Sequence, residues 1–219
     1  MYQVVIFDLD GTLLDTIGDL ASAGNHALRA MGLAEHSVEE YKKMVGNGIP
    51  KLIERMLPEG LRGQAVRAVA MSLFLKRYGE HKFDTTAPYP GIPEVLARLE
   101  RLGVATAIVS NKDDALVKSI AQRYFPDHTF TAVIGRRDGV PAKPDPASVD
   151  EAMRAIGVPR AAALYVGDSD VDVQTAHNAH LACCGAVWGF RGEEELRRAG
   201  ADFLAADAAA LLRAVLQMP

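Results

Sequence analysis

The 219-residue sequence has little cysteine and no long hydrophobic run. Its only cysteines, Cys183 and Cys184, are adjacent, a spacing that disfavours a disulfide between them and offers no metal-binding pattern. We expect both to be small buried residues. No apolar run reaches the roughly 18 residues of a membrane span, and Val4 begins a strand pattern where a secretion signal would lie. The sequence therefore predicts a cytoplasmic protein.

An excess of positive charge is also missing, because 24 Lys and Arg residues stand against 28 Asp and Glu residues. This balance gives no support for nonspecific binding to nucleic acid or to an anionic membrane. The hydrophobic content of 49% is enough for a substantial core, in one domain or in one domain with an insertion. We expect a small-molecule partner, and a monomer or a homodimer.

Short apolar runs alternate with segments of helical periodicity from Thr106 onward. This alternation is typical of βα units, and it predicts an α/β fold with a doubly wound, mainly parallel, Rossmann-like sheet. The run at Val4–Phe7 has the same character and is predicted to join that sheet. The other predicted strands are TAIVS, TAVIG, AALYVGD and ACCGAVWG, and a closing helix is predicted at AADAAALLRAVL.

Residues 16–87 have a different character, because helical patterns follow one another there without strand-like runs. The patterns are LASAGNHALRAMG, VEEYKKMVG, IPKLIERML and AVRAVAMSLFLKRYGEHK. They predict an all-helical domain inserted between residues 1–15 and 88–219, which together form the α/β domain. The stretch PYPGIP at 88–93 is the predicted return linker.

Polar and charged residues follow several of the predicted strands. In open α/β sheets, ligands bind beyond the carboxyl ends of the strands, where such residues converge. The residues at these positions are Asp8, Asp10, Gly11 and Thr12 after the first strand, Ser110, Asn111 and Lys112 after TAIVS, Lys143 after TAVIG, and Asp168 and Asp172 after LYVG.

This set predicts a magnesium site beside a phosphate site. Clustered carboxylates repel one another unless a cation neutralises them, and oxygen ligands suit Mg²⁺. A hydroxyl, an amide and a lysine can hold the other side of an anion. Asp8 and Asp10 are two apart in an extended segment, so both point to one side, and one can attack while the other handles the proton. Gly11 lets the backbone approach an anion closely.

The motifs DLDGT at 8–12, SNK at 110–112, KP at 143–144 and GDSDVD at 167–172 occur in the order found in the haloacid dehalogenase-like hydrolase superfamily. The chain resembles that superfamily over nearly its whole length. The helical insertion is similar to the cap domain of the phosphoglycolate phosphatase-like branch. The resemblance implies a Mg²⁺-dependent phosphatase that acts on phosphomonoesters through an aspartyl-phosphate.

The resemblance also implies a role for each residue. Asp8 is the expected nucleophile, and Asp10 the expected general acid and base. The expected metal ligands are Asp8, the backbone carbonyl of Asp10, Asp168 and, as an auxiliary ligand, Asp172. The expected phosphate-binding residues are Gly11, Ser110, Asn111 and Lys143.

The segment VGNGIPKLIERML at 45–57 resembles the loop with which the cap of such phosphatases reads the substrate. The candidate specificity residues are Gly46, Asn47, Gly48, Lys51 and Arg55. Two other interpretations remain open: the glycines can simply end and begin helices, and Lys51 and Arg55 can lie in solvent. The expected substrate is 2-phosphoglycolate or a similar small phosphorylated acid. The alternatives are a nucleotide, pyrophosphate or sugar phosphatase, a phosphosugar mutase, and a non-catalytic phosphate-binding protein.

Overall fold

A computed structural model describes residues 1–217. The strands are β1 (Val4–Phe7), β2 (Leu14–Asp15), β3 (Ala87–Pro88), β4 (Ala105–Asp113), β5 (Ala132–Arg136), β6 (Ala163–Gly167), β7 (Ala182–Ala186) and β8 (Phe203–Ala205). The helices are α1 (Ile17–Ala30), α2 (Val38–Met44), α3 (Ile49–Met56), α4 (Gln64–His81), α5 (Ile92–Arg101), α6 (Asp114–Tyr124), α7 (Ala147–Ile156), α8 (Asp170–Asn178), α9 (Gly192–Ala199) and α10 (Ala208–Leu216).

Six of these strands form one parallel sheet in the order β5-β4-β1-β6-β7-β8. The chain builds outward from β1 on one side, through β4 and β5, and then returns to build β6, β7 and β8 on the other. This arrangement confirms the predicted doubly wound α/β fold. It places β1 at the point where the direction of winding reverses, which is where ligands bind in such sheets.

The core lies on both faces of this sheet. Val4 and Ile6 of β1 belong to a fully buried apolar cluster that includes Val149 of α7 and Val173 of α8. The alternate residues of β1 point to the opposite face and are also fully buried. Burial on both faces explains why β1 is a continuous apolar run and does not alternate with polar residues. Cys183 and Cys184 of β7 are buried and unbridged, as expected.

Two elements of the α/β part differ from the sequence expectation. The edge strand β8 was not predicted, because only Phe203–Ala205 are extended there. The helix α5 begins at Ile92, inside the predicted linker PYPGIP, with Pro93 in its first turn. Proline is favoured at the start of a helix because its missing N–H has no partner to lose there.

The chain divides into two compact units. The core unit comprises Met1–Leu14 and the chain from Pro88 onward, and the helical unit comprises Asp15–Ala87. Within the helical unit, Asp19 of α1 is buried and binds Thr85 and Thr86, the residues that precede β3. The strands β2 and β3 form a separate two-stranded sheet. Among residues 1–217, no helix combines the length and the hydrophobicity that a membrane crossing requires.

Candidate active site

The central strands β4, β1 and β6 are neighbours in the sheet and run parallel, so their carboxyl ends lie side by side. Asp8 directly follows β1 and continues the ladder, because its backbone N–H donates to the Val166 carbonyl at 2.9 Å. Asp168 directly follows β6, and Ser110 lies toward the end of β4. The buried strands therefore fix the polar residues that the sequence places at their ends.

Lys143 lies at the centre of the charged groups. Its ammonium Nζ is 2.7 Å from Asp172 Oδ1, 3.0 Å from the Tyr165 hydroxyl and 3.0 Å from Asp8 Oδ1. The contact with Asp8 is ionic and lacks hydrogen-bond geometry, and within residues 1–217 Asp8 Oδ1 has no hydrogen-bond partner. Burial alone would lower the pKa of Lys143, but Asp172 and Asp8 outweigh it and raise that pKa well above its usual value. Asp172 and Asp8 therefore favour the protonated, cationic form of Lys143.

Two of the carboxylates near Lys143, those of Asp8 and Asp168, have raised pKa values in the absence of a further cation. Burial raises the pKa of Asp8 to about 7; Lys143 opposes this rise, and the charges of Asp172 and Asp10 add to it. Burial also raises the pKa of Asp168 well above its usual value, and Asp172 and Asp8 raise it further. One ammonium thus faces three buried carboxylates, which leaves this part of the molecule short of positive charge.

Those three carboxylates form the potential metal site. Ligand oxygens of Asp8, Asp168 and Asp172 lie within 4.8 Å of one another. Carboxylate oxygens around an octahedral Mg²⁺ are separated by about 3–4 Å, since each lies roughly 2 Å from the ion. The donor set therefore fits Mg²⁺ in chemistry, in charge and approximately in spacing.

Two glycines make room for Asp168. Gly11 has a φ of +87°, and a Cβ there would lie 2.3 Å from Asp168 Oδ2. A Cβ on Gly189 would lie 2.2 Å from Asp168 Cβ. The carboxylate is oriented by the Phe190 N–H, which donates to Oδ2 at 2.7 Å, and by the Thr12 hydroxyl, which donates to Oδ1 at 3.4 Å. Position 11 therefore favours glycine for two reasons: its φ is positive, and the Asp168 carboxylate leaves no room for a Cβ.

Asp172 is fixed by the first turn of α8. The Ser169 backbone N–H and hydroxyl donate to Asp172 Oδ2 at 3.1 and 2.6 Å, which leaves Oδ1 for Lys143 and the Tyr165 hydroxyl. This is a capping arrangement in which a residue three positions into the helix also serves the charged cluster.

The predicted phosphate-binding residues of β4 and of the Lys143 loop are joined by their own hydrogen bonds. The Asn111 side chain accepts from the Lys143 backbone N–H at 2.8 Å and donates to the Lys143 carbonyl at 3.2 Å. The Ser110 hydroxyl accepts from the Lys112 backbone N–H at 3.3 Å. Asn111 thereby holds the main chain from which the Lys143 side chain extends.

Asp10 lies apart from the three clustered carboxylates. Lys112 Nζ donates to Asp10 Oδ1 at 2.8 Å and to Oδ2 at 2.9 Å. The two aspartates of DLDGT are thus each in contact with a different lysine: Asp8 with Lys143 and Asp10 with Lys112. The structure leaves untested the prediction that the Asp10 backbone carbonyl binds the metal.

In the helical unit, the structure separates the candidate specificity residues into two groups. Arg55 donates to the Met44 carbonyl and to Asn47 Oδ1, both at 2.8 Å, and so braces the loop that contains Gly46 and Gly48. Both glycines have a positive φ, and Gly48 directly precedes α3. The fifth candidate, Lys51, is exposed and forms an ion pair with Glu54, one turn further along α3.

Sequence reasoning assigned no role to two residues that the site contains. The Tyr165 hydroxyl, fully buried, contacts both Lys143 and Asp172. Lys112 was placed with Ser110 and Asn111 at a strand end but was given no role, although that place was a signal for a charged partner nearby. Tyr165 gave no such signal, because its position within β6 is that of an ordinary core residue.

Comparison with known proteins gives consistent matches. A sequence model of the family described as haloacid dehalogenase-like hydrolase matches residues 5–186. A phosphoglycolate phosphatase of Pseudomonas fluorescens is 35% identical over 192 residues, which cover 86% of this chain and 70% of that protein. A phosphoglycolate phosphatase of Vibrio cholerae is 33% identical over 98% of this chain and 97% of its own length. Among solved structures, a candidate phosphoglycolate phosphatase from Lactobacillus delbrueckii subsp. bulgaricus superposes with a TM-score of 0.92, at 32% identity, over 98% of both chains.

Proposed function

The chain belongs to the haloacid dehalogenase-like hydrolase family, and we propose that it is a Mg²⁺-dependent phosphatase that hydrolyses phosphomonoesters through an aspartyl-phosphate on Asp8. The first substrate to consider is 2-phosphoglycolate, because the relatives from Pseudomonas and Vibrio are named phosphoglycolate phosphatases. A similar small phosphorylated acid is the next. A cytoplasmic location and a monomeric or dimeric state stay predictions from the sequence.

The contact between Lys143 and Asp8 is the observation that carries this proposal. A carboxylate that attacks phosphorus must be unprotonated and must lie beside a cation that can receive the phosphoryl oxygens. Lys143 supplies that cation 3.0 Å from Asp8, and Asp172 and Tyr165 hold its ammonium in place. In the first step, Asp8 forms a bond to phosphorus while the bond from phosphorus to the leaving oxygen breaks. Water then cleaves the aspartyl-phosphate.

Asp8, Asp168, Asp172 and the backbone carbonyl of Asp10 are the proposed ligands of Mg²⁺. The clustered, buried carboxylates support this assignment, because they carry more negative charge than Lys143 balances. When bound, Mg²⁺ supplies positive charge that stabilises the phosphoryl oxygens during transfer. The hydrogen bonds from Phe190 and Thr12 keep the Asp168 carboxylate oriented.

The remaining core residues divide the work of binding and proton transfer. The Ser110 hydroxyl, the Gly11 backbone and the Asn111 backbone are proposed to bind phosphoryl oxygens beside Lys143. Asp10 is proposed to protonate the leaving oxygen in the first step and to take a proton from the attacking water in the second.

The helical unit is proposed to select the substrate through the loop at Gly46–Gly48. Arg55 supports a role in shaping this loop, because it binds the Met44 carbonyl and the Asn47 side chain at once. Lys51 remains a candidate for a direct contact with a substrate carboxylate, at the cost of its pairing with Glu54.

The test is a phosphate-release assay of the purified protein over a panel of phosphomonoesters, with Mg²⁺ and with EDTA. We expect turnover that needs the metal, that is greatest for 2-phosphoglycolate, and that is lost in Asp8→Asn. The matched control is Asp170→Asn, which makes the same chemical change at a carboxylate outside the cluster. A panel without turnover, or an active Asp8→Asn variant, would contradict the mechanism, and a preference for sugar phosphates would contradict the substrate.

A further inference from the structure

The ion pair between Lys112 and Asp10 has no role in the assignments above. Lys112 donates to both oxygens of the Asp10 carboxylate, at 2.8 and 2.9 Å, which fixes the plane of that group. The Lys112 side chain is 4% exposed and that of Asp10 is 14% exposed. The pair is therefore a buried, two-oxygen contact near the end of β4, and it differs from exposed surface pairs such as Lys118–Asp114.

Stability is a weak explanation for such a pair. Removing two charges from water costs about as much as their attraction returns, so a pair of packed apolar residues stabilises a protein as well or better. Lys112 follows Ser110 and Asn111 at the edge of the sheet where the proposed chemistry takes place. A charged pair placed there has a use that an apolar pair lacks, because it fixes the position of a carboxylate.

The two lysines of the site make separate contacts with the two aspartates of DLDGT. Lys143 contacts Asp8 and Asp172, whereas Lys112 contacts Asp10. The first aspartate is the proposed nucleophile and the second moves the proton. Lys112 is thus placed to act on the proton transfer through Asp10, whereas Lys143 contacts the nucleophile.

We propose that Lys112 is a positioning residue for the proton transfer by Asp10: it binds both oxygens of the carboxylate and so fixes the orientation of the group that gives up the proton. The inference rests on the proposed function. In the first step the Asp8–phosphorus bond forms, the bond from phosphorus to the leaving oxygen breaks, and the proton of Asp10 goes to that oxygen. Asp10 ends the step as a carboxylate, and Lys112 faces that carboxylate through both oxygens.

This role predicts a dependence on the leaving group. An alkyl phosphate such as 2-phosphoglycolate releases a strongly basic oxygen that needs the proton, whereas p-nitrophenyl phosphate releases a weakly basic oxygen that does not. The ratio kcat/KM reports the steps up to the first irreversible one, and so it isolates the transfer to Asp8 from the later attack of water. A loss of Lys112 should therefore affect the two substrates differently.

The experiment compares Lys112→Met and Lys112→Gln with the wild-type enzyme in the presence of Mg²⁺. We expect kcat/KM for 2-phosphoglycolate to fall by about tenfold to a hundredfold, the effect of losing a charge-assisted hydrogen bond, while that for p-nitrophenyl phosphate falls by about threefold or less. The control is Lys118→Met, which removes the ion pair between Lys118 and Asp114 on the surface of α6. That pair has a similar length, and its loss should change neither value of kcat/KM.

A second arm asks whether Lys112 acts through Asp10. In an Asp10→Asn background, the further change of Lys112→Met should leave kcat/KM for 2-phosphoglycolate unchanged, because the proton donor is already absent. An equal fall for both substrates, no fall for either, or an additive effect in the double variant overturns the proposal. Failure of both Lys112 variants to fold also overturns it, since Lys112 would then be a structural residue. None of these outcomes touches the Asp8→Asn test of the function itself.

Discussion

Replacement of Asp19 should cost the helical unit more stability than any exposed substitution in it. The buried carboxylate accepts from the backbone N–H and hydroxyl of Thr85 at 2.9 and 2.6 Å, and from those of Thr86 at 2.9 and 2.7 Å. These four bonds join the first turn of α1 to the segment before β3, across 66 residues of sequence for Thr85 and 67 for Thr86. Asp19 thus links the beginning of the helical unit to its end.

The size of the stability loss depends on which of the Thr85 and Thr86 donors water can reach once the Asp19 carboxylate is gone. Thr85 is exposed and Thr86 is buried, so in Asp19→Ala water replaces the lost acceptor mainly at Thr85. Two charge-assisted hydrogen bonds at Thr86 are then lost without replacement, at roughly 1.5–3 kcal/mol each, or about 3–6 kcal/mol in all. In Asp19→Asn the amide oxygen keeps one threonine and the amide nitrogen faces the other, which costs about 1–3 kcal/mol.

The assay is thermal unfolding followed by circular dichroism. At about 2–4 °C per kcal/mol, the melting temperature of Asp19→Ala should fall by roughly 6–24 °C. The control is Asp84→Asn, a change at an exposed carboxylate one residue before Thr85. A melting temperature of Asp19→Ala equal to that of the control would refute the reasoning.

The pH dependence provides an independent check on Asp19. Burial alone would raise its pKa, but the hydrogen bonds from Thr85 and Thr86 outweigh burial and lower the pKa below its usual value. A carboxylate with a lowered folded pKa contributes stability above its unfolded pKa of about 3.9 and loses it as the pH falls through the folded pKa. The difference between wild type and Asp19→Asn should therefore be full at neutral pH and shrink below about pH 4.

Two further predictions concern the site and the loop at Gly46–Gly48. The pKa of Asp8 is raised from 3.8 to about 7, so the folded metal-free protein retains a proton that the unfolded chain releases, and its stability should fall as the pH rises through that interval. Mg²⁺ should accordingly raise the melting temperature more at about pH 8 than at about pH 5, and an equal rise at both would contradict the proposed ligands. Arg55→Lys replaces the two guanidinium nitrogens that bind the Met44 carbonyl and Asn47 with one nitrogen on a shorter side chain, and we expect KM for 2-phosphoglycolate to rise by roughly tenfold with kcat nearly unchanged. Lys42→Ala, at an exposed pair on α2, is its control, and a KM change of the same size in both would show that the loop is not involved.

The fold could be predicted from sequence wherever an element buries a continuous or periodic apolar face. The strand β1 is such an element, and so are the long helices of the inserted unit, whose patterns match the observed bounds closely. The strand β8 has only three residues and lies at an edge, so its pattern is too short to distinguish from a loop. The helix α5 was missed because its first turn contains a proline that equally suits a linker.

The candidate site could be predicted in part by one rule, that the carboxyl ends of neighbouring parallel strands converge. That rule brings Asp8 and Asp168 together, and they do lie together. It cannot say which carboxylate a long, flexible lysine will reach, and so the pairing of Asp10 with Lys112 needed coordinates. The same limit hid the link between Asp19 and Thr85, because nothing local in the sequence indicates a contact over that separation.

The most direct test of the central claim is mass spectrometry of the protein quenched in acid during turnover of 2-phosphoglycolate with Mg²⁺. The account predicts one phosphoryl group on the peptide that contains Asp8, and its absence in Asp8→Asn. Steady turnover with no phosphoryl group on that peptide, or with the group on another residue, would contradict Asp8 as the nucleophile.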